Sequence, residues 1–193
     1  MKFLSMALAT VMMISTASAQ HVNFGVKAGL NLYNIKDEQE SEFDSKVGFH
    51  IGALAHIHLN KQWALQPELV FSGQGAKFTS GGDETKLNLG YLNVPVMVQY
   101  MFDNGLRLQA GPQVGFLLSA KAKNDDDDID VKDDLKPVDF SLGFGAGYVH
   151  VPSGFGVDAR YNLGLSDINE EAGNKSTNQG FQLGVFYLFK HRN

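Results

Sequence analysis

The sequence alternates apolar and polar residues in eight separate runs, and the gaps between the runs are alternately short and long. In the first run, from Val22 to Tyr33, the even positions are all apolar, whereas the odd positions are mainly Asn, Gly and Lys. A period of two places the apolar side chains on one face of a β-strand. Because short turns alternate with long loops, the pattern predicts an all-β fold, an eight-stranded antiparallel up-and-down transmembrane β-barrel.

The connections between the runs predict the orientation of this barrel. The long connections lie near residues 40, 80, 128 and 172, and the short ones near residues 61, 104 and 153. Bacterial barrels have short periplasmic turns and longer extracellular loops. An even number of strands brings both termini to one side. We therefore expect a protein of the outer membrane of a Gram-negative bacterium, with periplasmic N- and C-termini.

The first twenty residues have the layout of a secretory signal peptide. Lys2 is followed by an apolar stretch and then by small residues that end in Ala17-Ser18-Ala19, as at a cleavage site. We expect residues 1–19 to be removed and residues 20–193 to form one barrel domain. The alternative is a first apolar helix of the fold. No later apolar run reaches about 18 residues, so a transmembrane helix is not predicted and a membrane location requires a barrel.

The net charge and the cysteine content limit which partners the protein can bind and which interactions can stabilise its fold. The formal net charge is −5, which disfavours a nucleic-acid partner. Cysteine is absent, so an exported domain of this sequence must be held by its hydrogen-bond ladder and by packing. We expect a monomer whose partners are outer-membrane lipid and lipopolysaccharide.

Charged residues occur on the parity that faces the interior of the predicted barrel. They are Lys27, Glu68, Arg107, Asp158 and Arg160. The interior of an eight-stranded barrel is just wide enough for side chains, so buried charges there must pair. We expect an interlocking ionic plug, and a selectivity filter is the alternative. Many glycines share this parity and leave room for long side chains, which favours a filled barrel over a diffusion pore.

Aromatic residues on the apolar parity cluster next to the short turns. They are Trp63, Tyr100, Phe102, Tyr148, Phe155, Tyr187 and Phe189. A second group lies toward the long loops. Aromatic girdles mark the two interfaces of a membrane, so this banding predicts that the apolar parity faces lipid. The alternative is a soluble sandwich or lipocalin-like barrel whose apolar parity faces inward.

Residues that could bind a metal or catalyse a reaction are few. His50, His56 and His58 share the inward parity of the second run, but His50 lies about 20 Å from His56 at the rise of a strand. We expect hydrogen-bonded lining residues there rather than one metal site. The predicted extracellular loops contain no histidine and the chain has no Gly-x-Ser-x-Gly motif. We therefore expect no enzyme and assign no catalytic residue, cofactor or metal ligand.

The third long loop is strongly acidic, with seven aspartates between Asn124 and Asp134. Oxygen ligands of this kind suit hard cations, but Val131 occupies the position at which the calcium loop of an EF-hand requires glycine. We expect a solvated acidic surface. Weak binding of divalent cations, which would bridge to lipopolysaccharide phosphates, is the alternative.

Several segments resemble a known family. They are LQPELVFS (65–72), YLNVPVMVQY (91–100), AGPQVGFLLSAK (110–121), RYNLGLSDI (160–168) and the closing FYLF. These segments are similar to the porin-like outer-membrane β-barrel family related to PorT, which is common in Bacteroidetes. The resemblance implies the fold of an outer-membrane barrel and, through PorT, an accessory part in protein secretion. We expect a structural or interaction protein, with a narrow channel for ions or small solutes, or an accessory part in protein secretion, as alternatives.

Overall fold

The computed structural model describes residues 22–37, 44–80, 83–124, 128–169 and 176–189. In these ranges the chain forms nine β-strands and one 3-10 turn, the latter at Lys132–Asp134. The strands are β1 (Val22–Asp37), β2 (Asp44–His58), β3 (Trp63–Ser80), β4 (Asp83–Met101), β5 (Leu106–Lys123), β6 (Asp128–Asp130), β7 (Val138–His150), β8 (Phe155–Gly164) and β9 (Ser176–Leu188). No helix of the described part is long and apolar enough to cross a membrane. The expected signal peptide, residues 1–19, lies outside the described residues.

Eight of these strands close into a barrel. Each of them pairs antiparallel with the next barrel strand along the chain, and β1 pairs with β9 to complete the circle. The short strand β6 pairs only with the end of β5. The eight-stranded up-and-down barrel predicted from the alternation is therefore confirmed.

The two parities face the two sides of the barrel wall as the alternation predicts. On β1, Phe24 is 61% exposed, whereas Lys27 is 4% exposed. The same contrast recurs around the barrel, with exposed apolar side chains outside and buried amides and charges inside. The soluble alternative, in which the apolar parity faces inward, is wrong. An exterior of this composition matches the lipid-facing band of a transmembrane barrel.

Three tight turns lie at one end of the barrel, which we call the short-turn end. Asn60 caps the first, because its Oδ1 accepts hydrogen bonds from the backbone N–H of Gln62 and Trp63, each at 2.9 Å. The other two contain Gly105 and Gly154, at φ +90° and +82°, values that favour glycine. The opposite end, which we call the long-loop end, holds the remaining connections.

The strands continue well beyond the length that a membrane requires, which changes two predicted loops. Near residue 80, β3 and β4 run to Ser80 and from Asp83, so the expected long loop is a short link between two long strands. The acidic loop begins later than predicted, because β5 continues to Lys123. A transmembrane strand needs about 9–11 residues, whereas β4 has 19. The strands therefore project past the lipid at the long-loop end.

The three prolines inside strands leave the registers around them unshifted. Pro67 lies opposite Val96 and Pro95 opposite Gln113, and Pro112 lies opposite Leu142. The irregularities occur elsewhere, one of them between β4 and β5 at Gly90. Each proline lacks a ladder donor, and the strand pairs hold their registers through the neighbouring residues.

Candidate functional site

A cluster of four charged side chains occupies the middle of the barrel interior. The ammonium of Lys27 lies 3.3 Å from Glu68 Oε2 and 3.0 Å from Asp158 Oδ2. The guanidinium of Arg160 donates to both oxygens of Glu68, at 3.1 and 2.7 Å. Two cations and two carboxylates thus balance one another. A bidentate arginine–carboxylate pair is among the strongest charge-assisted contacts.

Neutral amides complete the shell around this cluster. Gln66 Nε2 donates to Glu68 Oε1 at 2.8 Å, and Arg160 Nη2 also donates to Gln109 Oε1 at 3.1 Å. Lys27, Glu68 and Arg160 are at most 4% exposed. Buried charges are tolerated when their donors and acceptors are satisfied, and this shell meets that condition for most of them. Arg160 Nε makes no hydrogen bond within the described residues.

Glycines of the facing strands make the space for these side chains. Gly184 lies opposite both Gly29 and Asp158 in the ladder. A Cβ at position 184 would lie 2.6 Å from Asp158 Oδ1. Similarly, Gly145 lies opposite Arg160, and a Cβ there would lie 3.1 Å from the amide nitrogen of Gln109. The inward glycines noted in the sequence therefore have a steric role.

The structure does not bring Arg107 into the ion pairs. Its Nη1 donates to Gln99 Oε1 at 3.4 Å, and its guanidinium carbon lies 5.5 Å from the centre of the Phe186 ring. Gln99 in turn donates to Gln109, which accepts from Arg160. Arg107 is thus linked to the four-charge cluster by two neutral amides and not by a carboxylate. It lies near the beginning of β5, toward the short-turn end, as its position in the sequence indicates.

Two of the inward histidines have hydrogen-bond partners on the barrel wall. His50 Nδ1 lies 2.8 Å from Asn31 Oδ1, and His56 Nδ1 lies 3.2 Å from Gln66 Oε1. The His56 and His58 rings meet edge to face, with centroids 4.6 Å apart. The expected hydrogen-bonded lining is confirmed for His50 and His56. No group of three or more candidate metal ligands occurs in the described part of the chain.

A polar layer lies between the charges and the long-loop end. Asn31 Nδ2 donates to Phe49 O, Ser72 Oγ and Gly73 O at 3.0, 3.0 and 2.9 Å. Asn162 Nδ2 donates to the Tyr33 hydroxyl at 2.7 Å. These residues were not identified as a layer from the sequence. The inward parity of the two asparagines is the signal that could have identified them.

An apolar cluster closes the lumen at the long-loop end, and sequence reasoning missed it as well. Its buried members are Ile35, Ala76, Leu89, Tyr91, Leu117, Ala120 and Ile168. Val131 and Leu135, which follow β6, pack against it. Backbone hydrogen bonds fix this arrangement, from Val131 N to Ala120 O at 3.1 Å and from Lys136 N to Ile168 O at 2.8 Å. The bond from Lys136 to Ile168 joins the connection between β5 and β7 to the connection that follows β8, over the mouth of the barrel.

The acidic residues of the described part of that connection are exposed. They are Asp128, Asp130, Asp133 and Asp134. Asp128 lies 3.2 Å from Lys123, so a lysine of β5 already pairs with one of the predicted cation ligands. Residues 125–127, which hold the other three aspartates, lie outside the described residues.

The seven aromatic residues predicted near the short turns lie there on the outer face. They form two contact chains of tilted or edge-to-face rings. Trp63 contacts Tyr100 at 5.1 Å between ring centroids, and Tyr100 contacts Phe102 at 5.0 Å. On the other side, Tyr187 lies 4.7 Å from Phe155 and 5.5 Å from Phe189. Tyr148 is also exposed on the outer face.

Comparison with known proteins agrees with this architecture. Residues 17–170 match the family described as outer membrane protein beta-barrel domain. Because the match covers most of the sequence, the chain belongs to this family and is an outer-membrane β-barrel protein.

Two solved structures with a similar fold are outer-membrane or surface proteins of bacteria. Neisserial surface protein A (NspA) is 14% identical with a TM-score of 0.59, over 88% of this chain and 99% of its own. Ail, the attachment invasion locus protein of Yersinia pestis, is 18% identical with a TM-score of 0.53, over 86% of this chain and 98% of its own. At these identities the likeness shows the fold alone. No curated protein gives a significant match.

Proposed function

We propose that this protein is a structural or interaction component of the bacterial envelope, with no enzymatic activity and with a lumen that does not conduct. The observation that carries the proposal is the filled interior. The balanced cluster of Lys27, Glu68, Asp158 and Arg160 spans the middle of the lumen, and an apolar cluster lies above it. Side chains that interlock across the lumen leave little space for a continuous water column.

Single-channel recording tests the proposal against the runner-up, a narrow channel for ions or small solutes. The purified full chain is reconstituted in a planar bilayer, with a porin of known conductance as the positive control. We expect no reproducible current steps. Steps whose cation-to-anion selectivity changes in the Glu68→Gln variant would contradict a closed lumen and establish the channel, because Glu68 lies at the centre of the lumen.

The proposed orientation places the short-turn end and both termini in the periplasm. It is supported by the tight turns and by the two aromatic contact chains, which suit the inner interface of the membrane. The chain has no cysteine, so single cysteines report position cleanly. An impermeant maleimide added to intact cells should label Lys132→Cys and leave Ser153→Cys unlabelled. The reverse pattern would overturn the orientation.

The interaction role has a specific support on the strands that project from the membrane. Lys77, Lys86 and Lys123 are direct neighbours on β3, β4 and β5. Lys123 also pairs with the exposed Asp128, and such surface pairs contribute little. A row of three lysines still makes the surface locally positive, which suits an anionic partner. We propose lipopolysaccharide in the surrounding lipid as that partner of a monomeric barrel. Ail has been solved with the heparin analogue sucrose octasulfate, which is also a polyanion.

Binding of lipopolysaccharide to the purified chain tests this row. Changing Lys77, Lys86 and Lys123 together to Gln should weaken binding at least tenfold, whereas Lys132→Gln at the exposed 3-10 turn should not. Equal binding by both variants would remove the proposed surface. Divalent cations at the acidic segment remain part of the proposal. Calcium should raise the melting temperature of the chain, and no change on adding calcium would remove that part.

The finer family assignment, to the PorT-related barrels, rests on the resembling segments, among them residues 91–100 and 110–121. It carries the second alternative, an accessory role in protein secretion. Deletion of the gene separates the two roles. Unchanged export would remove the secretion role, and loss of export together with co-purification of secretion components would favour it over a structural one.

A further inference from the structure

A cavity of about 140 Å³ opens at the mouth of the barrel at the short-turn end, with Val149, Val151, Leu188 and Phe189 as its apolar walls. Its polar lining comes from the ends of three strands, with Asn23 on β1, His56 and His58 on β2, and Arg107 on β5. Gly154 of the last short turn also lines it. The volume is enough for a small ion with several oxygens, since a water molecule takes about 30 Å³ of liquid. The question is which ligand this lining selects.

Arg107 makes the cavity selective for an anion. The guanidinium is 6% exposed, and its acceptor is the neutral Oε1 of Gln99. Within the described residues no carboxylate lies within 4.0 Å of it, and its Nε makes no hydrogen bond. The four charges of the central cluster already balance one another. Asp158 attracts Arg107 from a greater distance, but it already pairs with Lys27. Arg107 therefore adds a positive charge to a cluster whose charges are already balanced, and a buried excess of one sign is costly, so this position favours an anion and opposes a metal ion.

His56, which also lines the cavity, has a ring nitrogen whose hydrogen bond is not satisfied by the residues that the structure describes. Gln66 donates its amide nitrogen to Glu68 at 2.8 Å, which leaves Gln66 Oε1 as the acceptor that faces His56 Nδ1. His56 therefore carries its proton on Nδ1 and presents a lone pair on Nε2. This Nε2 is buried and makes no hydrogen bond within the described part of the chain. A ligand that satisfies it must bring an O–H or N–H donor.

We propose that the cavity binds a hydrogenphosphate group, either as inorganic phosphate or as the end of a small phosphomonoester. Its anionic oxygens would accept hydrogen bonds from Arg107, a geometry that guanidinium groups suit. Its P–OH would donate to His56 Nε2. Sulfate has the same shape and no proton at neutral pH, so it can satisfy Arg107 and not His56. The site thereby distinguishes two ions of almost equal size.

Calorimetric titration of the full folded chain in phosphate-free detergent solution tests the proposal. Inorganic phosphate should bind at least tenfold more tightly than sulfate. Arg107→Met should weaken phosphate binding at least tenfold, whereas Lys132→Met, which removes an exposed positive charge at the other end, should leave it unchanged. His56→Phe should abolish the preference for phosphate over sulfate. The heat-dependent gel shift of each variant confirms that the barrel is folded.

The outcomes separate the proposal from its competitors. Equal affinity for phosphate and sulfate in the unchanged protein, or phosphate binding that survives Arg107→Met, would overturn it. If Arg107→Met does not fold, Arg107→Lys replaces it, because lysine keeps the positive charge but lacks the two parallel N–H donors of a guanidinium. The proposal then requires weaker but measurable phosphate binding. Glycerol phosphate identifies the source, because binding as tight as that of inorganic phosphate indicates a phosphomonoester end and weaker binding indicates the free ion.

Discussion

Replacing Glu68 with glutamine tests whether charge pairing holds the interior together. Glu68 accepts hydrogen bonds from Lys27, Arg160 and Gln66, at distances between 2.7 and 3.3 Å. Glutamine keeps the shape and removes the negative charge. In the Glu68→Gln variant two buried cations share one remaining carboxylate, Asp158, which lies 3.0 Å from Lys27. Arg160 then loses both of its charged contacts with Glu68.

The size of the effect follows from these distances. At an effective dielectric constant of about 20, charges separated by the Lys27–Glu68 and Arg160–Glu68 distances attract by about 5 and about 6 kcal/mol. Desolvation of the carboxylate, several kcal/mol, offsets a large part of this gain. Removing one partner of a buried pair costs about 3–5 kcal/mol. We expect the Glu68→Gln variant to lose free energy of unfolding in that range.

The assay is urea-induced unfolding of the barrel in lipid vesicles, followed by the fluorescence of Trp63, the single tryptophan of the chain. Asp128→Asn is the matched control, because it removes a carboxylate from an exposed pair with Lys123, and such pairs contribute about 0–1 kcal/mol. The reasoning would be refuted if Glu68→Gln unfolded within about 1 kcal/mol of the unchanged protein. In that case the charges would be passive fillers of the lumen.

Two further predictions concern a barrel glycine and a loop carboxylate. Gly29→Ala should destabilise the barrel by about 2 kcal/mol or more, because the new methyl group would clash with the carbonyl oxygen of Leu183. Gly73→Ala is the control and should be tolerated, because its methyl group would lie 3.6 Å from the nearest atom. Equal urea midpoints for the two variants would contradict this prediction. The backbone N–H of Ser176 holds the pKa of the half-buried Asp167 carboxyl below its usual value. Its stabilising contribution is therefore complete above about pH 4 and is lost as pH falls through the lowered pKa. The Ser176 amide donates to Asp167 Oδ1, so its protection factor, the intrinsic exchange rate at each pH divided by the observed rate, should fall on acidification and should lose this pH dependence in Asp167→Asn. A protection factor that is constant down to about pH 2.5 would oppose the prediction.

The barrel could be predicted from the sequence because a period of two carries its signal on every strand. On β1, for example, Phe24, Val26 and Leu30 face outward and Lys27 and Asn31 face inward. A single residue that departs from the pattern therefore does not change the predicted faces of the strand. The same redundancy places the outer aromatic residues. Strand ends carry no such repetition, so the extension of β5 to Lys123 was assigned to a loop.

The alternation of apolar and polar residues, which predicts the barrel, does not predict the apolar cluster at the long-loop end. Leu89, Leu117 and Ile168 are buried inside the mouth, where the alternation predicts polar residues. Leu89 and Leu117 are on the inward parity of their strands, so the parity is right and the polar character is not. Ala120 is inside although its parity is the outward one, because the register between β4 and β5 shifts by one residue near Gly90 and such a shift exchanges the two faces of a strand. The loop residues that complete the cluster have no periodicity at all. Contacts of this kind depend on tertiary packing, which a local pattern does not encode.

Arg107 shows that the alternation predicts which side of the barrel wall a side chain occupies, but not its position along the barrel axis. Its parity predicts correctly that the side chain is inside. Whether it meets a carboxylate depends on its height along the barrel axis, which follows from strand tilt and from the stagger between strands. Lys27 and Asp158 meet because β9 pairs with both of their strands. Arg107 is the second residue of β5 and is separated from Asp158 by Gly147 of β7. Because Asp158 already pairs with Lys27, Arg107 adds a buried positive charge that this carboxylate does not fully balance, and that excess is the best reason to look for an anionic ligand there.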